Sequence, residues 1–133
     1  MKRTLKLIAL LLIIQIAGSA QNNKKVVVMI TRANWCPTCR ANDNKIKTEL
    51  VPAYNTSKEV TIVINDITNG RTKLTSKLLL QAEGVLEIAK AEKITGTIAI
   101  INPANGQIIG REYVVNNVEV IKHSIREALL KIE

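Results

Sequence analysis

Residues Lys25 to Thr31 read KVVVMIT, and no other stretch of the chain narrows its fold so far. A β-branched run with no polar alternation is typical of a strand buried on both faces. Val60 to Ile67, VTIVINDI, has the same character and reads as a second buried strand. Covering such strands takes helices on both sides of the sheet.

The segments between and after these runs supply the helices. Pro37 stands where a helix can begin, because the first helical position needs no N–H. That helix carries Arg40 to Leu50, with Cys39, Ile46 and Leu50 as its apolar points, and Pro52 ends it. After the turn signal Thr68-Asn69-Gly70, a long helical stretch runs from Leu74 to Lys93. Its apolar residues Leu74, Leu78, Ala82, Val85, Leu86 and Ala89 recur at helical spacing, Thr75 or Ser76 can cap it, and Gly84 marks a kink or a junction. Thr97 to Ile101 and Gln107 to Val115 flank an Asn-Gly turn and are expected to pair antiparallel. Asn116 or Asn117 caps a last amphipathic helix with Val118, Ile121, Ile125, Leu129 and Ile132 on one face. The order is strand, helix, strand, helix, strand, strand, helix, which predicts an α/β fold. Its centre is a mixed sheet of at least four strands with helices on both faces.

The first twenty residues have the three parts of a secretory signal. Lys2, Arg3 and Lys6 precede the apolar run Leu7 to Ile16, and Ala17-Gly18-Ser19-Ala20 ends it. That run is shorter than the roughly 18 to 20 residues a spanning helix needs. Residues 1–20 are therefore expected to be a cleaved signal peptide, and residues 21–133 one domain, long enough for a single core. The expected address is outside the cytosol, and the periplasm if the source is a Gram-negative bacterium. Contact with a membrane is then expected only through an uncleaved signal segment. Without its three cations, sixteen basic residues face eleven acidic ones, a net charge of +5. Trp35, Tyr54 and Tyr113 are the only aromatic residues, too few to stack bases, so nucleic acid is not an expected partner.

Both cysteines lie in one stretch, Trp35-Cys36-Pro37-Thr38-Cys39, directly after the first strand. Cys36 falls just before the first helical turn, where free backbone N–H groups and the helix dipole favour a thiolate. A free thiol pKa of about 8.5 falls by one to several units in such a place, and the thiolate is the attacking species. Arg32 and Arg40 are further candidates to favour it. Cys39 returns to the same helix face one turn on, within reach of Cys36. Three readings follow: a redox pair, two soft ligands for an ion such as Cu(I), or an inert bridge in a partner-binding module. A structural zinc site normally takes four ligands, whereas this chain offers two cysteines and a single histidine, His123, read as a surface residue. No bound metal or cofactor is expected. A working nucleophile would leave Cys36 exposed and Cys39 buried, whereas an inert bridge can hide both.

The stretch WCPTC, following a β-run and opening a helix, resembles the active site of the thioredoxin family. The order of elements is similar to the minimal thioredoxin fold, and IINPANGQII resembles the LDPDGKVV hairpin of exported thioredoxin-like proteins. The resemblance covers nearly all of residues 21–133. It implies catalytic roles for Cys36 as nucleophile and Cys39 as resolving thiol. Trp35 would shield the pair, and Pro37 and Thr38 would tune its potential. It also implies an exported thiol–disulfide oxidoreductase acting on protein thiols or disulfides, with a membrane-bound electron donor if it reduces them. Pro-Thr brings no charge between the cysteines, which favours reduction of partners over strong oxidation.

The chain departs from that family's pattern at three places. Ile30 stands where many members place a buried aspartate. The cis-proline that commonly flanks the dithiol is replaced: it falls at Gly96 or Ile98, either side of Thr97, according to the anchor used. A trans peptide is expected there, since a non-proline cis bond costs about 2.5–4 kcal/mol. The segment from Asp66 to Thr97 is longer than a simple thioredoxin needs and is expected to add a helix over one end of the sheet.

Overall fold

The computed structural model describes residues 24–133; the expected signal segment lies outside them. Four strands form one sheet: β1 (Val26–Arg32), β2 (Val60–Asp66), β3 (Thr97–Asn102) and β4 (Gln107–Tyr113), in the order β2-β1-β3-β4. β1 pairs parallel with β2 and antiparallel with β3, and β3 pairs antiparallel with β4. The helices are α1 (Pro37–Lys45), α2 (Gly70–Ala82), α3 (Leu86–Ala91) and α4 (Val118–Ile132). None of the described helices is long and apolar enough to cross a membrane.

The KVVVMIT run does what its composition requires. Val26, Val28 and Ile30 point to one face, where they pack with Leu50, Ile98, Ile100, Ile121 and Ile125 under α4 and the turn that follows α1. Val27 and Met29 point to the other, against Val63, Leu80, Val85 and Ala89 under α2 and α3. All of Val26 to Met29 are fully buried, so β1 is the two-faced centre of the core.

β2 differs from the expectation of a fully buried strand. It is an edge strand with no strand on its outer side, and only Val60, Val63 and Asn65 of it are buried. The helix after Pro37 also departs from regularity: beyond Lys45 the chain widens into a turn closed by Val51 N–H donating to the Ile46 carbonyl at 3.0 Å. This turn keeps both Ile46 and Leu50 buried.

The 66–97 segment is two helices, broken at Gly84, whose φ of +73° ends α2. The cap of α2 is Asn69, not Thr75 or Ser76. Its side chain accepts from the Arg71 and Thr72 amides, and Thr72 Oγ1 accepts from the Asn69 amide in return. The helix sets a different face on the sheet from the expected stripe: Leu74, Leu78 and Ala82 face solvent, whereas Ser76, whose hydroxyl accepts the Asp66 amide at 2.9 Å, and Leu80 face the sheet. Asn117 caps α4, and Val118, Ile121, Ile125 and Ala128 form its buried stripe.

Candidate functional site

β1 ends at Arg32, and the chain turns through buried Ala33 into exposed Asn34 and Trp35 before α1. Cys36 N–H donates to the Ala33 carbonyl at 3.1 Å, which closes the turn. Pro37 follows as first helical residue, so Cys36 is the N-cap. The Cys36 sulfur accepts the Cys39 amide at 3.1 Å. The two cysteines are joined as a disulfide, with Cα atoms 5.3 Å apart.

The expected contrast in exposure is absent. Cys36 is 5% exposed and Cys39 3%. The N-cap conformation turns the Cys36 sulfur over the first turn of α1, and Ala33 and Ile67 pack against both cysteines. Trp35, the residue expected to shield the pair, is 61% exposed in the turn before Cys36. Pro37 and Thr38 are exposed.

Of the three positions at the expected substrate edge, the structure brings Gly96 to the disulfide. A Cβ placed on Gly96 would lie 4.0 Å from Cys39 Sγ and 3.9 Å from Thr38 Cγ2. Gly96 therefore presents bare backbone to the pair. Its φ is +83°, its N–H donates to the Thr31 carbonyl at 2.8 Å, and its carbonyl accepts from Val114 at 2.9 Å. Among the described residues no peptide bond is cis. Thr97 pairs with Thr31 and sends its hydroxyl to the Ile94 carbonyl at 2.7 Å. Ile98 is fully buried opposite Ile30, so it belongs to the core and not to the site.

Sequence reasoning missed the polar frame that holds the turn. Arg32 Nη1 lies 2.6 Å from Asp66 Oδ2, Nη2 donates to Asn34 Oδ1 at 3.0 Å, and Nε lies 3.5 Å from Asp43 of α1. Thr68 donates its amide and hydroxyl to Asp66 Oδ1 and accepts the Asn34 amide at 2.9 Å. The end of β1, the cysteine turn, α1 and the segment after β2 are thereby tied together. The signal was available only in the pairing register, which sets Arg32 directly against Asp66. Burial alone would push the Asp66 carboxyl up; hydrogen bonds from Thr68 and the Arg32 guanidinium outweigh it and hold the group below the ordinary aspartate range. Arg32 is thus directed to the carboxylates of Asp43 and Asp66.

Ile30 is 1% exposed among aliphatic neighbours, so that position supplies no proton carrier. His123 is exposed on α4. Among the described residues no three histidine, cysteine, aspartate or glutamate side chains converge on one point.

No protein-family model matches the chain. No curated protein matches it. Among solved structures it is similar to Trxlp from Edwardsiella tarda EIB202, at 16% identity and a TM-score of 0.45, covering 77% of this chain and 84% of that one. It is also similar to a disulphide isomerase from Xylella fastidiosa Temecula1, at 20% identity and a TM-score of 0.39, covering 81% of this chain and 78% of that one. The chain's own strand order, its helices on both faces and its cysteine pair at the mouth of α1 give it a thioredoxin-like fold with a disulfide-forming Cys36–Cys39 pair.

Proposed function

We propose that residues 21–133 are an exported thiol–disulfide oxidoreductase that exchanges electrons with partner proteins through Cys36 and Cys39. The observation that carries this reading is the disulfide itself. It sits at a helix N-terminus, with the Cys36 sulfur already accepting a backbone N–H and with the Gly96 backbone beside Cys39 Sγ. An N–H aimed at sulfur stabilises the thiolate that reduction releases.

In the reducing direction, the Cys36 thiolate attacks one sulfur of a partner disulfide, forms a Cys36–partner bond and releases one partner thiolate. The Cys39 thiolate then attacks the Cys36 sulfur and releases the second. The partner gains two electrons, and the pair ends as the disulfide. With Ile30 in place of an acid, the proton leaving Cys39 passes to water. Both residues between the cysteines are uncharged and Arg32 is held by carboxylates, which supports reduction of partners over strong oxidation. A donor of electrons, such as a membrane-bound relay, would regenerate the dithiol. The signal-like pattern of residues 1–20 supports export, and in a Gram-negative source the periplasm.

The near-complete burial of both sulfurs favours a second reading, a fixed bridge in a thioredoxin-like partner-binding module. A Cys39→Ser variant separates the two. Mixed with a disulfide-bonded peptide at neutral pH, the variant should accumulate a Cys36–peptide adduct, seen by intact mass. If adduct forms only under denaturing conditions, the bridge reading replaces the redox one.

A further inference from the structure

A cavity of about 550 Å³ opens on the α2–α3 side of the sheet, on the face away from α1. Its size falls within the roughly 300–1,000 Å³ usual for small-molecule sites. Leu80, Leu86 and Ala89 form apolar walls. Lys73, Lys77 and Lys93 stand at its rim together with Lys90, which pairs with Glu87 at 2.6 Å. The carboxylate lining it, Glu92, is gripped by both Arg111 nitrogens at 2.6 and 2.7 Å. The rim is therefore left with a net positive field.

One polar group lies within this apolar lining. Asn65 is 5% exposed, and its place in β2, two residues after Val63, turns its carboxamide to the cavity side. Its Nδ2 donates to Thr31 Oγ1 at 3.3 Å, and its carboxamide oxygen has no partner among the described residues. That oxygen is open to accept a hydrogen bond from a group entering the cavity. Neither cysteine lines the cavity.

We propose that this cavity is a binding site for a small amphiphilic anion: an apolar body against Leu80, Leu86 and Ala89, and one carboxylate at the lysine rim. A hydrogen-bonding group at the inner end would meet Asn65. The apolar body supplies most of the affinity and the lysines select the charge.

Octanoate is the probe, with octanamide as its uncharged counterpart, titrated into the oxidised protein and followed by amide and methyl NMR shifts. Saturable shifts should gather on the Asn65 side chain, Leu80, Leu86 and Ala89. Octanamide should bind at least about tenfold more weakly, as should octanoate to the Lys73→Gln/Lys77→Gln double variant, the equivalent of two modest charge contacts. Equal binding of acid and amide, shifts on the α1–α4 face, or full affinity in the double variant would overturn the proposal. So would silence with octanoate alongside the same shifts from an acidic, leucine-rich peptide, which would make the cavity a protein-docking site.

Discussion

Replacing Gly96 by alanine places one methyl group opposite the disulfide, and the structure has room for it. The new Cβ would lie 3.6 Å from Val114 Cγ2, 3.9 Å from Thr38 Cγ2 and 4.0 Å from Cys39 Sγ, all ordinary contacts. The cost is conformational, because a φ of +83° disfavours an L-residue by about 1–2 kcal/mol. Gly96→Pro is more severe. Proline fixes φ near −65°, far from the native value, and removes the N–H that donates to the Thr31 carbonyl at 2.8 Å. Thr31 is fully buried, so its carbonyl would lose a partner at about 1–3 kcal/mol. Together with backbone strain of about 1–3 kcal/mol, the proline variant should lose about 2–6 kcal/mol. Urea unfolding of the oxidised proteins measures both, and the alanine variant should keep the wild-type m-value. A Gly96→Pro protein as stable as wild type would refute the argument, since the loop beside the disulfide would then accept the proline geometry common in thioredoxins.

Asn69→Ala removes the cap of α2 and should cost about 1 kcal/mol in the same assay; an unchanged midpoint would mean that the helix does not begin there. Asp66→Asn leaves Arg32, 16% exposed at its side chain, with Asp43 alone, and should cost about 1.5–3 kcal/mol at neutral pH. Because the folded-state pKa of Asp66 is depressed, its contribution is present above the ordinary aspartate value and lost as pH falls through the folded value. Wild type and Asp66→Asn should therefore draw together as pH falls below the ordinary aspartate value and converge only below the lowered folded value; a difference that persists once the carboxyl is protonated in both states would assign the effect to packing. Reducing the Cys36–Cys39 bridge opens a very short loop and should lower stability by no more than about 2 kcal/mol. A much larger loss on comparing oxidised and reduced unfolding midpoints would make the bridge a structural staple.

The strands and helices were legible because each carries a local signal. β-Branched runs, Pro37 at a helix start, Asn-Gly at a hairpin and the stripe of α4 all act through neighbours in sequence. What could not be read depends on partners far along the chain. Val60 to Ile67 has the composition of a central strand, but an edge position is decided by which strands pair beyond it. The stripe through Leu74 and Leu78 lies in solvent because α2 docks through Ser76 and Leu80, a choice set by the contact of Ser76 with Asp66 ten residues away. In the site, the spacing of Cys36 and Cys39 put the two sulfurs within reach of each other, and the structure joins them. The choice of Gly96 over Ile98 needed the register of β3 on β1. The burial of Cys36 needed the N-cap geometry, and the exposure of Trp35 needed the turn that leaves it in solvent.

The redox potential of residues 21–133, equilibrated in glutathione or dithiothreitol mixtures with free thiols trapped for mass spectrometry, tests the central claim most directly. The account predicts one reversible two-electron transition in the folded protein, at a potential nearer the roughly −270 mV of reducing thioredoxins than the roughly −120 mV of strong oxidants. A bridge that stays oxidised until the protein unfolds would contradict it.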